Sequence, residues 1–353
     1  MTDVPGLDRA GLSAWLTREH PELAPHPGSP LTAEVITGGR SNLTYRVDGA
    51  RRPLVLRRPP LGHVLSSAHD MRREHRVISA LGLSDVPVPA VVDVVDDTTA
   101  QEVTGTTFFV MEHVAGTVLA RPAQNASYTP AGLHRLGIAL ATTLADLHAV
   151  DPDAVGLGDF GRPQGYLDRQ LTTWRRQYDA SRSRDLPELD ALQQRLGAGL
   201  PTTSRTGIVH GDYRLDNALV AGTADHPHVA AVLDWEMATL GDPLVDLGLL
   251  GLYWDIRDLT GHDTVVSAVV PDAGYPTFDE IVDTYAARTG TVVPDLWWYR
   301  AFAAYKLAVI LEGIHFRYRA GETVGDGFDA IGDLVAPLAA DGLARATARP
   351  RSA

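Results

Sequence analysis

The sequence contains no cysteine. That excludes disulfides, thiolate nucleophiles and cysteine-ligated metal centres, and it fits a cytoplasmic protein. Positive charge is also in short supply: 31 lysine and arginine residues stand against 44 aspartate and glutamate residues, for a formal net charge of −13. Such a chain does not bind nucleic acid by neutralising phosphates, and an acidic membrane surface does not attract it. No apolar run reaches the roughly 18 residues that a membrane-spanning helix needs. The N-terminal residues are acidic and lack an apolar signal core, and no internal repeat is present. What remains is an ordinary globular balance, 44% hydrophobic and 21% charged, over 353 residues. That length suits one large domain or two lobes.

The most informative stretch runs from Ile208 to Val220. An apolar run, Ile208-Val209, enters a polar loop, His210-Gly211-Asp212-Tyr213-Arg214-Leu215-Asp216-Asn217, and a second apolar run leaves it. Asp234 follows at the end of another apolar run, residues 229–233. Read as strand–loop–strand, this pattern brings together Asp212, Asn217 and Asp234. The set suits phosphoryl transfer. One carboxylate can orient and deprotonate a hydroxyl, while an amide oxygen and a second carboxylate can hold Mg²⁺, which prefers hard oxygen ligands. A hairpin with a polar turn would also contain Asp and Asn, but it has no need of the upstream His-Gly or the downstream Asp.

The spacing of His210, Asp212 and Asn217 matches the protein-kinase catalytic loop, with Gly211 where that loop has arginine. Asp234-Trp235-Glu236 stands where a kinase has Asp-Phe-Gly. On these residues the chain resembles the aminoglycoside phosphotransferase family, the small-molecule branch of the kinase fold. The resemblance implies an α+β, two-lobed protein-kinase-like fold. Residues 1–113 would form a small lobe with a mostly antiparallel sheet and one key helix. Residues 114–353 would form a larger, mostly helical lobe, with the nucleotide between the two. It further implies ATP as donor, with GTP as the alternative, Mg²⁺ held by Asn217 and Asp234, and Asp212 as the catalytic carboxylate.

In the first lobe, a short amphipathic helix over residues 7–20 precedes three runs with strand character, 33–37, 43–47 and 54–57. Gly38-Gly39-Arg40-Ser41-Asn42 joins the first two; Gly39, Ser41 and Asn42 could cover phosphates, or the loop could be a plain hairpin turn. In the third run Val55 and Arg57 share one face. Kinases place a phosphate-holding lysine at this point; arginine offers a planar fork instead of a point charge. Ser67 and Asp70 resemble a capping pair for the next helix, whose inward stripe is Met71, Glu74, Ile78 and Leu81. A carboxylate on that stripe needs a partner, and Arg57 is the one expected. A strand over residues 107–112 would then form the hinge. There Met111 would lie behind the adenine, and backbone groups at Glu112 and Val114 would bind its edge.

The stretch from Arg57 to Asp70, with Arg57-Arg58-Pro59-Pro60, resembles one subgroup in particular: kinase-like domains associated with certain acyl-CoA dehydrogenases. That subgroup implies a hydroxyacyl-CoA or hydroxy acid as the small-molecule hydroxyl acceptor; aminoglycosides and macrolides are the alternative. A nucleotide-binding pseudokinase is the alternative of another class. Leu133, Leu136, Leu140, Leu144 and Leu147 form a core stripe, and His148, His210 and Asp246 read as bracing residues. Asp242-Pro243 is a good helix start. The helix over residues 295–319 carries Arg300, Lys306, His315, Arg317 and Arg319, either as a solvated face or as a receiver of an anionic acceptor. A monomer or homodimer with no nucleic-acid or membrane partner is expected.

Overall fold

The computed structural model describes residues 4–36, 42–61, 70–203, 205–260, 267–270, 272–323 and 328–348. The chain divides into two compact units. The first comprises Met1–Ala115 together with Ala230–Glu236; the second comprises Gly116–Val229 and Met237–Ala353. A single cut after residue 113 therefore does not describe the chain, because the segment bearing Asp234 belongs with the first unit. Two hydrogen bonds show why: the Val232 N–H donates to the Pro87 carbonyl at 2.8 Å, and the Asn42 amide donates to Glu236 at 3.1 Å.

The first unit opens with α1 (Arg9–Glu19). Asp8 starts it by accepting the N–H groups of Ala10 and Gly11 at 2.8 and 2.9 Å, donors that a helix start otherwise leaves unpaired. Five strands follow: β1 (Thr32–Val35), β2 (Leu43–Asp48), β3 (Leu54–Arg58), β4 (Val91–Asp96) and β5 (Thr107–Glu112), with α2 (Met71–Leu81) between β3 and β4. They form one antiparallel sheet in the order β1-β2-β3-β5-β4. Tyr45, Val47, Leu54, Leu56, Phe108 and Val110 from one side of this sheet pack with Leu12, Trp15 and Leu16 of α1. The two-residue period of β3 then turns Val55 and Arg57 to the other side. There α2 packs on β4 and β5. Asp70 caps α2, accepting the Arg73 N–H at 3.0 Å; Ser67 lies outside the described residues.

The second unit has short strands: β6 (Thr117–Val118), β7 (Gly207–Val209), β8 (Ala218–Gly222), β9 (Pro227–Val232, whose last residues belong to the first unit) and β10 (Thr239–Gly241). Its helices are α3 (Pro130–Ala149), α4 (Tyr166–Ser181), α5 (Pro187–Ala198), α6 (Leu244–Thr260), α7 (Phe278–Thr289), α8 (Trp297–Arg319) and α9 (Val335–Thr347). Thr129 caps α3 by accepting the Gly132 N–H at 3.1 Å, and all five stripe leucines are buried. Helix α8 packs against α4, α5, α6 and α9. It is buried almost continuously from Trp298 to Glu312, as expected of a helix that is apolar on every side. No helix among the described residues is long and apolar enough to cross a membrane.

Candidate active site

The loop between β7 and β8 is held through its backbone groups, chiefly by side chains. β7 pairs with β10, with Val209 opposite Thr239, and the chain then turns through Gly211, whose φ is +86°. A Cβ at Gly211 would stand 2.9 Å from both the Cβ and the carbonyl oxygen of Met237. Glycine is therefore required here both by backbone conformation and by space. Asp246, in the first turn of α6, accepts the N–H groups of His210 at 2.6 Å and Gly211 at 2.8 Å. His148 lies 3.3 Å from the same carboxylate. Burial pushes the Asp246 carboxyl up, but the two histidines and the Gly211 N–H outweigh it and hold the group below its ordinary value. Helix α6 is itself capped by Asp242, which accepts the Leu244 N–H at 3.0 Å.

Asp212 follows on this frame. Its N–H donates to His210 Nδ1 at 3.2 Å. Asn217, at the end of a short 3₁₀ turn, donates from Nδ2 to the Asp212 carbonyl at 2.8 Å and to its carboxylate at 2.9 Å. Asp212 and Asn217 therefore stand side by side, as the sequence spacing suggested, and His210 and Asp246 brace them. Arg214 approaches Asp212 at 3.3 Å and Asp216 at 3.1 Å, with its guanidinium 4.6 Å from the centre of the Tyr253 ring. From α8, Lys306 Nζ donates to the Gly211 carbonyl at 2.7 Å.

In the first unit a single guanidinium gathers three carboxylates. Arg57 Nε lies 3.0 Å from Glu74, its Nη2 lies 2.6 Å from Asp234, and Glu236 stands 3.9 Å away. The helical stripe of α2 does turn Glu74 inward, where it is 3% exposed. Arginine rather than lysine can span two partners, because its donors project from both edges of a plane. Burial works against the charge of Arg57, but Glu74, Asp234 and Glu236 outweigh it and hold its pKa above the ordinary value. Burial pushes Glu74 up, Arg57 pulls it back, and the other two carboxylates push it up again, to about 7. Asp234 itself adopts a left-handed backbone, with φ +66°. That conformation is uncommon for a residue other than glycine and tends to occur at functional sites.

The other nucleotide-site expectations meet the structure unevenly. Val55 and Met111 are buried cross-strand neighbours on β3 and β5. The N–H groups of Glu112 and His113 are taken by the carbonyls of Ala90 at 2.8 Å and Pro53 at 3.0 Å. The next donor along the chain is Val114, whose N–H has no partner among the described residues. Asn42 is buried and donates to Glu236 at 3.1 Å. Gly39 and Ser41 lie outside the described residues.

Sequence reasoning missed one residue here and left the placement of two basic features open. Glu236 follows a motif position whose kinase counterpart is glycine, so the pattern gave it no role. Arg58 is buried, donating to the carbonyls of Gly6 at 2.6 Å and Thr104 at 3.1 Å, and so is not a surface cation for an anionic acceptor. The basic helix is likewise not a basic face: Arg300 pairs with Asp255, Lys306 is buried, and Arg317 and Arg319 are exposed at the far end.

A carboxylate fixed beside an amide, and a guanidinium–carboxylate pair on a five-stranded antiparallel sheet, are the parts of kinase-like phosphoryl-transfer machinery. The chain belongs to the phosphotransferase enzyme family, whose model matches residues 32–297. It is 34% identical over 343 residues to acyl-CoA dehydrogenase family member 11 of Gallus gallus, a match covering 96% of this chain and 43% of that protein. Acyl-CoA dehydrogenase family member 10 of Mus musculus is 34% identical over 328 residues, 90% of this chain and 29% of that protein. The chain thus spans less than half the length of these curated relatives. Among solved structures, a Ralstonia eutropha protein named for the aminoglycoside phosphotransferases superposes with a TM-score of 0.80 at 32% identity, covering 96% of this chain and 98% of that one. The kinase-like α+β fold is therefore the one that the motifs indicated, and the resemblance to proteins of the acyl-CoA dehydrogenase group is found again in these relatives.

Proposed function

We propose that this phosphotransferase moves the γ-phosphoryl group of ATP to a hydroxyl of a small molecule. The observation that carries this reading is the fixed Asp212–Asn217 pair, on a backbone whose N–H groups from His210 to Asp212 are all held. The acceptor oxygen bonds to the γ-phosphorus, the bond from phosphorus to the bridging oxygen breaks, and ADP leaves with that electron pair. The hydroxyl proton passes to the Asp212 carboxylate. Proton transfer late in a loose transition state does not require a strong base. Arg57, oriented by Glu74, grips the donor phosphates. Val55 and Met111 flank the base, Glu112 and the Val114 N–H address its edge, and Asn42, with Gly39 and Ser41, covers the phosphates. Most of the rate comes from positioning and charge stabilisation.

Each of the two proposed donors has the chemistry that Mg²⁺ prefers. Asn217 commits its Nδ2 to Asp212, which leaves its amide oxygen to offer. Asp234 commits one oxygen to Arg57 and keeps a side chain 34% exposed. Both are hard oxygen donors. Among the described residues no group of three or more His, Asp or Glu forms a metal site by itself, and Mg²⁺ in phosphoryl-transfer sites takes few protein ligands, with water and phosphate oxygens completing its shell. When bound, the ion neutralises charge on the phosphate oxygens.

For the acceptor, the relatives favour a hydroxyacyl-CoA or hydroxy acid: two proteins named as acyl-CoA dehydrogenase family members match most of this chain at 34% identity. A solved aminoglycoside 2′-phosphotransferase complex is 17% identical at a TM-score of 0.62, a likeness of fold alone. The protein is proposed to act in the cytoplasm as a monomer or homodimer, without nucleic-acid or membrane partners. The test is ADP release with Mg²⁺ and ATP, or GTP, against hydroxyacyl-CoAs, hydroxy acids, aminoglycosides and macrolides. Acceleration by a hydroxyacyl-CoA alone supports the reading; acceleration by an aminoglycoside or macrolide alone moves the acceptor to the antibiotics. The arginine bridge from Glu74 to Asp234 gives a pseudokinase one argument in its favour. Nucleotide binding without turnover on any acceptor would establish it.

A further inference from the structure

Lys306 is the only lysine in a sequence with 31 lysine and arginine residues. It lies at the centre of α8, 7% exposed, and among the described residues no carboxylate is within ion-pair distance of it. Its partners are the Gly211 carbonyl at 2.7 Å, the Met237 sulfur at 3.9 Å and the face of Trp174, with Nζ 5.3 Å from the ring centre. Asp212 and Asp246 attract the ammonium and Arg214 repels it; burial dominates and lowers its pKa. Burying an ammonium is costly, and an apolar side chain of similar volume commonly serves stability as well or better. The surroundings, a thioether and an indole, would accept one.

The cost is explained by the position of the carbonyl. Gly211 O and Asp212 N belong to the same peptide group. The Asp212 N–H is held by His210 Nδ1 at 3.2 Å, and the carbonyl end is held by Lys306. The two preceding N–H groups are held by Asp246. Gly211, with no Cβ and a φ of +86°, is the hinge at which this peptide plane could turn, and a turn there would redirect Asp212. We propose that Lys306 is a positioning residue of the transfer reaction, fixing the Gly211–Asp212 peptide plane so that the Asp212 carboxylate keeps its direction. This rests on the reading of Asp212 as the residue that meets the acceptor.

The test compares Lys306→Met with the unaltered protein in three measurements. Hydrogen exchange is followed in the peptide covering residues 207–217, AMP-PNP binding by calorimetry, and ADP release from Mg²⁺ and ATP both with water alone and with the acceptors named above. The variant is expected to melt within about 4 °C of the parent and to bind AMP-PNP within about threefold. It is also expected to exchange faster in that peptide and to release ADP about 10- to 100-fold more slowly, the scale of a small misplacement. In an Asp212→Asn background, Lys306→Met should change the residual rate by less than about threefold, since residues acting as a unit are not additive. Unchanged exchange, near-parental ADP release, or losses that multiply in the double variant would each overturn the proposal. If the parent releases no ADP with any acceptor, the transfer reading falls, and the exchange measurement alone decides whether Lys306 holds the loop. Should Lys306→Met fail to fold, Lys306→Gln is read by the same measurements.

Discussion

The two functional clusters are built on opposite terms. In the second unit, the peptide groups from His210 to Asp212 are held by four side chains: Asp246, His210, Asn217 and Lys306. In the first unit, three carboxylates share one guanidinium, and Asp234 keeps a third of its side chain exposed. The first arrangement has one solution. The second has several of similar energy, because a cation or a phosphate can take over one of Arg57's partners. A residue that orients a reacting hydroxyl needs the former; residues that receive a charged donor and release it need the latter.

Removing the carboxylate charge from the rigid cluster should have the largest effect. Asp212→Asn is expected to slow transfer by at least ~10²-fold while leaving AMP-PNP affinity within a few-fold. Near-parental turnover in that variant would remove Asp212 from its assigned role. Next in size is the frame beneath it. Asp246→Ala leaves two N–H groups and His148 without their buried carboxylate, so unfolding free energy should fall by about 3–5 kcal/mol, read from denaturant titration. A small loss there, with Mg²⁺-dependent nucleotide binding abolished, would mean that the metal carboxylate is Asp246 and not Asp234.

The softer cluster should respond more mildly and as a unit. Arg57→Ala and Glu74→Ala are each expected to weaken ATP binding, by about tenfold for roughly 1.4 kcal/mol of lost interaction. The double variant should cost little more than either single change. Arg57→Lys should keep part of the affinity, because an ammonium supplies charge without the fork. Additive losses would show that the two side chains do not act together. The smallest effect is in pH. The folded-state value of Glu74, about 7, lies above its ordinary 4.5, so its protonated form favours the folded state. That contribution is full below about pH 4.5 and is lost as the pH rises through about 7. The melting temperature of the nucleotide-free protein should therefore fall between about pH 5 and 8 by about 2–4 °C more than that of Glu74→Gln. Parallel curves would show that Glu74 is ionised throughout.

The same contrast decides what could be read from the sequence. The β5 bounds at residues 107–112, the inward turn of Glu74 and the pairing of Asp212 with Asn217 all follow from local periodicity or from spacing within one loop. The attachment of 230–236 to the first unit does not, because it rests on hydrogen bonds between segments more than a hundred residues apart. Lys306 was legible only as part of a basic helix. Its neighbours Phe302, Tyr305 and Val309 are apolar all round the helix, so no stripe marked which side a cation would face. Arg58 falls on the same side of the alternating strand as Leu54 and Leu56, but no local pattern shows that its guanidinium reaches back to two backbone carbonyls.

The burial of the chain's single lysine also has a practical consequence. Reagents that acylate amines have one side-chain target in this chain, at the centre of α8. Their uptake at Lys306 therefore reports the opening of the helical core around it, in the way that amide exchange reports local unfolding, but at a single residue and with one mass increment. The protein carries its own stability probe beneath the loop that matters most.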